Sequence, residues 1–229
     1  MPSTGARTTG SPIPHGAAKQ KRASFRDPIT VDDVLDVIRD EGEHSLMSMA
    51  GLDEETDMFA PVLESTRRRA LWLGVNLATA FIAAWVVGLF QATIDKVVAL
   101  AVLMPIVASM GGIAGSQTLT LAIRGIALGQ LSSGNARALL MKELAVGTLN
   151  SLIWAAVVAL IAGVWFSSTG IALLIAAAIV INMVFAAIAG TLLPLLLERV
   201  GIDPALAGSV LLTTVTDVVG FLAFLGLAT

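Results

Sequence analysis

The chain contains no cysteine. A disulfide framework, a thiolate metal site and a cysteine nucleophile are therefore all excluded. Histidine is almost as scarce: His15 and His44 are the two present, and both lie in the polar N-terminal part. The apolar remainder thus has no imidazole with which to build a metal site. Charge is short as well, at 14% of 229 residues against 56% apolar, and the mean hydropathy is +0.85. Soluble domains carry roughly a quarter of charged residues, so this balance points to a membrane protein. No nucleophile–base pair and no phosphate loop is visible, so neither an enzyme nor a nucleic-acid binder is expected.

What charge there is sits unevenly. Residues 1–26 are rich in Ser, Gly and Pro, end in the basic stretch "KQKRASFR", and read as a disordered tail. They do not read as a secretory signal, because no apolar core follows the basic residues. From Val31 to Glu64 there are eleven acids against one base, Arg39. Arg67, Arg68 and Arg69 follow, and beyond them the chain is nearly uncharged. The expected organisation is a tail over 1–26, an acidic cytosolic segment over 27–66 and a membrane domain over 67–229.

Uncharged runs give the spans: 71–90, 97–123, 144–197 and 205–229. The third is too long for one helix, and "SSTG" at 167–170 is the natural place to divide it. Each piece meets the ~20 residues needed to cross ~30 Å of hydrocarbon. The runs are too long and too uniformly apolar for barrel strands, and in lipid only helices or closed barrels satisfy the backbone. The expected fold is an all-α integral membrane protein with five transmembrane helices. Arg67–Arg69, Arg124, Arg137, Lys142 and Arg199 flank one set of span ends, with Lys96 alone on the other. The positive-inside rule then puts the N-terminus in the cytoplasm and the C-terminus outside a cell membrane.

Five acids lie beyond residue 70: Asp95, Glu143, Glu198, Asp203 and Asp217. The first four fall at expected span ends, within reach of headgroups and water. Asp217 has twelve residues of the last run on either side of it. Its side chain is too short to reach either surface, and such a residue costs about 3 kcal/mol at a helix centre. It is either a structural carboxylate bonded to a neighbouring helix or an ion site facing a polar cavity. Thr213 and Ser209, four and eight residues earlier, share its helical face. Carboxylate and hydroxyl oxygens suit a hard cation such as Mg²⁺ or Ca²⁺ better than zinc or copper.

The second span carries "PIVASMGGIAGSQTLT" at 105–120. Pro105 removes a backbone donor, and Gly111, Gly112 and Gly115 allow close approach. Two readings stand level: small-residue helix packing, or a helix opened enough to offer carbonyl oxygens to a cavity.

The stretches "MPIVASMGGIAGSQTLTLAIRGIALGQL", "KELAVGTLN", "TLLPLLLERVGIDPALAGSVLLTTVTDVVGFLAFLGLA" and "ALWLGVNLATAF" resemble the transmembrane domain of MgtE-type magnesium transporters, over about residues 67–228. The resemblance implies a homodimeric, five-helix Mg²⁺ channel or transporter, with a pore between protomers lined by the second and fifth helices. Mg²⁺ would be both the ion moved and the ion bound. Asp217 matches the family's intramembrane ion-binding carboxylate, with Thr213 and Ser209 beside it and Gly112 and Ser116 contributed by the second helix. Two positions depart from the pattern: Ile113 stands where the family commonly has Asn, and Gln91 where an acid often ends the first helix. The missing amide puts the strength of Mg²⁺ selectivity in question. The segment "PITVDDVLDVIRDEGEHSLMSMAGLDEE" resembles the end of a CBS domain running into the connecting plug helix, most of the family's N domain and CBS pair being absent from this sequence. Its acids Asp32, Asp33, Asp36, Asp40, Glu41 and Glu43 are then expected to form a solvated helix face.

A single carboxylate per protomer cannot replace six waters, so a largely hydrated Mg²⁺ is expected, its shell donating hydrogen bonds to pore oxygens. The alternatives are a carrier of other divalent ions such as Co²⁺ or Mn²⁺, proton-coupled or not, and a non-conducting membrane adaptor. The charge bias makes a direct prediction about topology. A reporter active only outside the cytoplasm should be active when fused after Thr229, and a reporter inserted near Asn135 should read cytoplasmic. The reverse pair of readings overturns the five-span arrangement.

Overall fold

A computed structural model describes residues 61–132 and 134–229, together with Val31, Leu35, Gly42, Met47 and Ser48. The chain divides into two units, Met1–Ile38 and Arg39–Thr229, and the second holds everything described below. The expected tail and most of the expected acidic segment, including Asp32, Asp33, Asp36, Asp40, Glu41 and Glu43, lie outside the described residues.

Among the described residues from 61 onward there are six helices: α1 (Val62–Gly88), α2 (Gln91–Lys96), α3 (Ala99–Ala127), α4 (Ala136–Phe166), α5 (Thr169–Val200) and α6 (Pro204–Leu227). Five of them, all but α2, are long and apolar enough to cross a membrane. The five-span expectation is met, and the first four of the five helices are longer than the uncharged runs suggested. α1 begins at Val62 and passes through Arg67 without a break, so no structural boundary falls between residues 66 and 67. α4 starts eight residues before the expected span. A helix satisfies its own backbone and has no need to stop where the apolar run does, so charged residues such as Arg67 and Arg137 continue it. The single-turn α2, with Gln91 and Asp95 exposed on it, was not expected at all.

The ends have local causes. Ser167 closes α4 in a left-handed conformation, and Ser168 caps α5 by accepting from Ile171 N. This is the turn that "SSTG" announced. Gly201, with φ 77°, ends α5 as a left-handed glycine should. Asp203 Oδ1 accepts from Ala205 N at 2.8 Å, and Pro204 opens α6 at a position where its missing N–H costs nothing.

α5 is the hub. It packs extensively against α3, α4 and α6, while among the described residues α1 packs chiefly on α6 and α4 makes little contact with α3. Its buried residues include Ala178, Asn182, Ala186, Gly190 and Pro194, a row of small residues at four-residue spacing. Such rows let helix backbones approach in a bilayer, where the hydrophobic effect does not drive helices together. At Gly190 an added Cβ would stand 2.8 Å from the Gly115 carbonyl oxygen and 3.1 Å from Leu119 N. Both are backbone atoms of α3 and cannot turn aside.

α3 remains a continuous α-helix through Pro105 and the glycines. The reading of an opened helix is therefore corrected. Gly111 and Gly115 serve packing: the amide of Asn182 fills the space beside the first, and the Leu212 side chain lies against the second. Gly112 differs, because nothing lies within 4 Å of where its Cβ would be.

A contrast of two substitutions tests this division. Gly190→Val should lower the melting temperature of the solubilised protein, with a cost of about 1–3 kcal/mol from overpacking. Gly112→Ala should melt within about 0.5 kcal/mol of the parent chain, as substitutions at open positions do. Equal losses in both would remove the distinction between packed and open glycines.

Candidate functional site

α3 and α6 run antiparallel in direct contact. Climbing α3 from Val107 through Gly115 to Leu119, one meets α6 from Gly220 back through Leu212 to Gly208. The seam on α3 is the row 111, 115, 119, and on α6 the row 208, 212, 216, 220; all seven residues are buried. One residue after each seam position, the helix has turned by about 100°. Because the two helices are antiparallel, these turns carry both following rows to the same side of the plane through the two axes. Those rows are Gly112, Ser116, Thr120 on α3 and Ser209, Thr213, Asp217 on α6.

Their heights match to within about a turn, Gly112 with Asp217, Ser116 with Thr213 and Thr120 with Ser209. All five residues expected at the site therefore share one two-helix face. Ser116, Thr120 and Thr213 are exposed, and Gly112, Ser209 and Asp217 are half-buried, so no other element among the described residues covers it. Among the described residues, no hydrogen bond or ion pair engages the Asp217 carboxylate. A structural aspartate bonded to a neighbouring helix of the same chain is thereby disfavoured.

Two of the four hydroxyls on this face have their protons occupied. Thr213 Oγ1 donates to Ser209 O at 3.0 Å, and Thr120 Oγ1 donates to Ser116 O at 2.8 Å. Each hydroxyl oxygen keeps its acceptor lone pairs. The face thus offers acceptors and a carboxylate, the pattern needed by a cation or by the protons of its water shell.

Thr120 is a member that sequence reasoning passed over. Its signal was available, since it lies four residues after Ser116 and carries a hydroxyl. Asn182 was passed over as well. It is wholly buried, its Nδ2 donates to Val107 O at 2.9 Å, and its Oδ1 meets no donor among the described residues. An added Cβ on Gly220 would lie 2.6 Å from Asn182 Nδ2, so this amide is wedged behind the two-helix face, next to the neighbours of Gly112 and Asp217. Ile113, where the resemblance led one to expect an amide, is 57% exposed beside Gly112.

One expected position needs correction. Glu143 does not reach headgroups and water at a span end: it is 5% exposed, seven residues inside α4. It faces α3, accepting a hydrogen bond from Thr118 Oγ1 at 3.1 Å. The other three acids fit their expectation: Asp95 and Glu198 are exposed, and Asp203 caps α6.

Comparison with known proteins agrees with this architecture. Residues 104–227, which include every residue of the two-helix face, match the family model described as MgtE, divalent cation transporter. The chain is 26% identical over 201 residues to the magnesium transporter MgtE of Bacillus subtilis, covering 88% of this chain and 45% of that protein. It is 28% identical over 200 residues to that of Enterococcus faecalis, covering 87% and 44%. It is 30% identical over 203 residues to that of Thermus thermophilus, covering 87% and 45%. The chain thus spans a little under half of the length of each of these relatives. Five apolar helices in this arrangement, carrying a match over more than half of the chain, make it a multi-pass membrane protein that belongs to the MgtE family of divalent cation transporters.

Proposed function

We propose that the chain moves Mg²⁺ across a cell membrane through a pore formed where two copies meet over the α3–α6 face. The observation that carries this reading is the uncovered row pair Gly112–Ser116–Thr120 and Ser209–Thr213–Asp217, with a lone carboxylate well inside α6. A polar face of this kind is costly against lipid, and a second copy of the same face relieves the cost by enclosing water and an ion between them.

Mg²⁺ gives up its waters reluctantly and requires near-octahedral oxygen geometry. A pair of Asp217 carboxylates would supply two negative charges, and the hydroxyl and backbone oxygens above and below would accept hydrogen bonds from the ion's water shell. Selectivity would follow from the spacing of those acceptors. Ile113 places an aliphatic group beside Gly112, and the family similarity by itself leaves room for Co²⁺ or Mn²⁺ as cargo. The Lys and Arg bias supports a cytoplasmic N-terminus and an external C-terminus, so that the Arg124–Lys142 connection faces the cytoplasm. Exposed Trp85 and Trp165, at the far ends of α1 and α4, would lie in the opposite interface.

Asp217→Asn keeps size and hydrogen-bonding capacity while deleting the charge. At equal surface expression, uptake of Mg²⁺ should fall by at least about tenfold, equivalent to ~1.4 kcal/mol of lost ion stabilisation. Heat protection of the purified protein by Mg²⁺ should shrink with it. Asp217→Glu should retain part of the uptake, because the extra methylene moves the oxygens within a cavity shaped for a hydrated ion. Uptake at the parental level in Asp217→Asn would defeat the assignment. Competition by Co²⁺, Mn²⁺ and Ca²⁺ in the same assay decides the cargo.

A further inference from the structure

α3 and α4 are joined at one polar point and otherwise stand apart. Between them, floored by Met183 and Ala187 of α5, lies a crevice of about 470 Å³. Its walls are apolar at Met110, Ala114, Val146 and Trp154, and polar at Gln117, Thr118, Lys142, Glu143 and Asn150. It is distinct from the α3–α6 face. Ile113, Gln117 and Leu121, four residues apart along α3, form a ridge that borders the crevice on one flank and the Gly112–Ser116–Thr120 row on the other.

Glu143 is the anomaly in this crevice. It lies about 10 Å along α4 from the helix start and is 95% buried. An ionised carboxylate offers about four acceptor positions, and two groups approach it. Thr118 Oγ1 donates at 3.1 Å. Lys142 Nζ stands 3.6 Å from Oε1 with its side chain 65% exposed, a separation too long for a hydrogen bond. Among the described residues that line the crevice, Lys142 is the one charged side chain besides Glu143. A buried carboxyl group met by one neutral hydroxyl and by one solvated ammonium at ion-pair distance keeps acceptor positions unfilled. Stapling α3 to α4 would not need the charge either, since a glutamine oxygen accepts from a threonine equally well.

The room and the donor types indicate what compensates it. A cation with six waters occupies about 180 Å³ at ~30 Å³ per water, well within the crevice. Glu143, Thr118, and the amide oxygens available on Gln117 and Asn150 are all hard donors, suited to Mg²⁺-like ions. We propose that this crevice is a second intramembrane site for a hydrated divalent cation, with Glu143 as its carboxylate. The site lies at the α3–α4 end that carries Arg124, Arg137 and Lys142, and is separate from the Asp217 face. Lys142 competes with the ion for Oε1.

The test is a Mn²⁺ titration of the solubilised full chain, followed by the paramagnetic resonance signal of free Mn²⁺. With Asp217→Asn removing the other proposed site, one Mn²⁺ site per chain should remain. Adding Glu143→Gln should weaken it by about tenfold or more, while the threonine hydrogen bond is kept. Adding Lys142→Gln instead, an exposed change that spares the fold, should tighten it by about threefold as the competing charge goes. No Mn²⁺ binding to Asp217→Asn, or identical titrations with and without Glu143→Gln, overturns the second site. Lys142→Gln leaving Mn²⁺ affinity unchanged or lower overturns it too, and marks the pair as a structural contact. Asp217→Asn titrating like the parent while Glu143→Gln sheds Mn²⁺ would remove the Asp217 assignment and leave this one standing.

Discussion

The arrangement of this membrane domain depends on one close meeting of backbones around the Asn182 side chain. That amide is wholly buried where α3, α5 and α6 converge, bounded by two glycines and bonded to the Val107 carbonyl. In a bilayer, apolar side chains gain little by leaving lipid for protein, so helix association rests on packing and on the few available hydrogen bonds, each worth about 1 kcal/mol. Glycine supplies the packing by letting backbones approach. The asparagine supplies a directional contact that one register of α3 against α5 satisfies. A shift by a single residue would strand the donor and drive the amide into a Cβ or a carbonyl. Asn182 Oδ1 remains an acceptor without a donor among the described residues, a cost borne at a point where rotation of any of the three helices is constrained.

From that constraint the candidate site follows. Once α3 and α6 are locked along Gly115–Leu212 and Leu119–Gly208, the row after each seam has no choice of direction. Antiparallel pairing sends both rows to the same side, so hydroxyls spaced along two helices become one polar face with Asp217 at the height of Gly112. The charge is placed by packing rather than by a salt bridge. A carboxylate without a partner among the described residues is a poor structural element, and α6 has the composition of a buried helix on one side and a polar row of Ser209, Thr213 and Asp217 on the other.

α4 follows a different logic. It leans on α5 and barely meets α3, so the molecule has a second, internal concavity whose wall includes a buried acid. Gln117 belongs to the ridge that divides this crevice from the Asp217 face. Two polar regions are thus backed by the same hub, α5, and separated by the Ile113–Gln117–Leu121 ridge of α3.

Much of this was legible in the sequence, and the reason is that a bilayer acts on composition. Run length and scarcity of charge determined five helices, "SSTG" marked the turn between α4 and α5, and Asp217 stood out because nothing nearby could carry it to water. The spacing of Ser209, Thr213 and Asp217 determined their common face, since 3.6 residues per turn is a property of the chain alone. The fate of the glycines was not legible: Gly111 and Gly115 are packing notches while Gly112 between them is open, and a difference of 100° around one helix depends on where its neighbours stand. Nor was the role of Glu143, which looks like an interfacial acid by its distance from the apolar run. Its burial arises because α4 extends beyond that run and turns the residue toward Thr118 on a helix twenty-five positions away. Periodicity determines what shares a face of one helix; only the meeting of helices decides which face is covered, because that depends on contacts between residues the sequence keeps far apart.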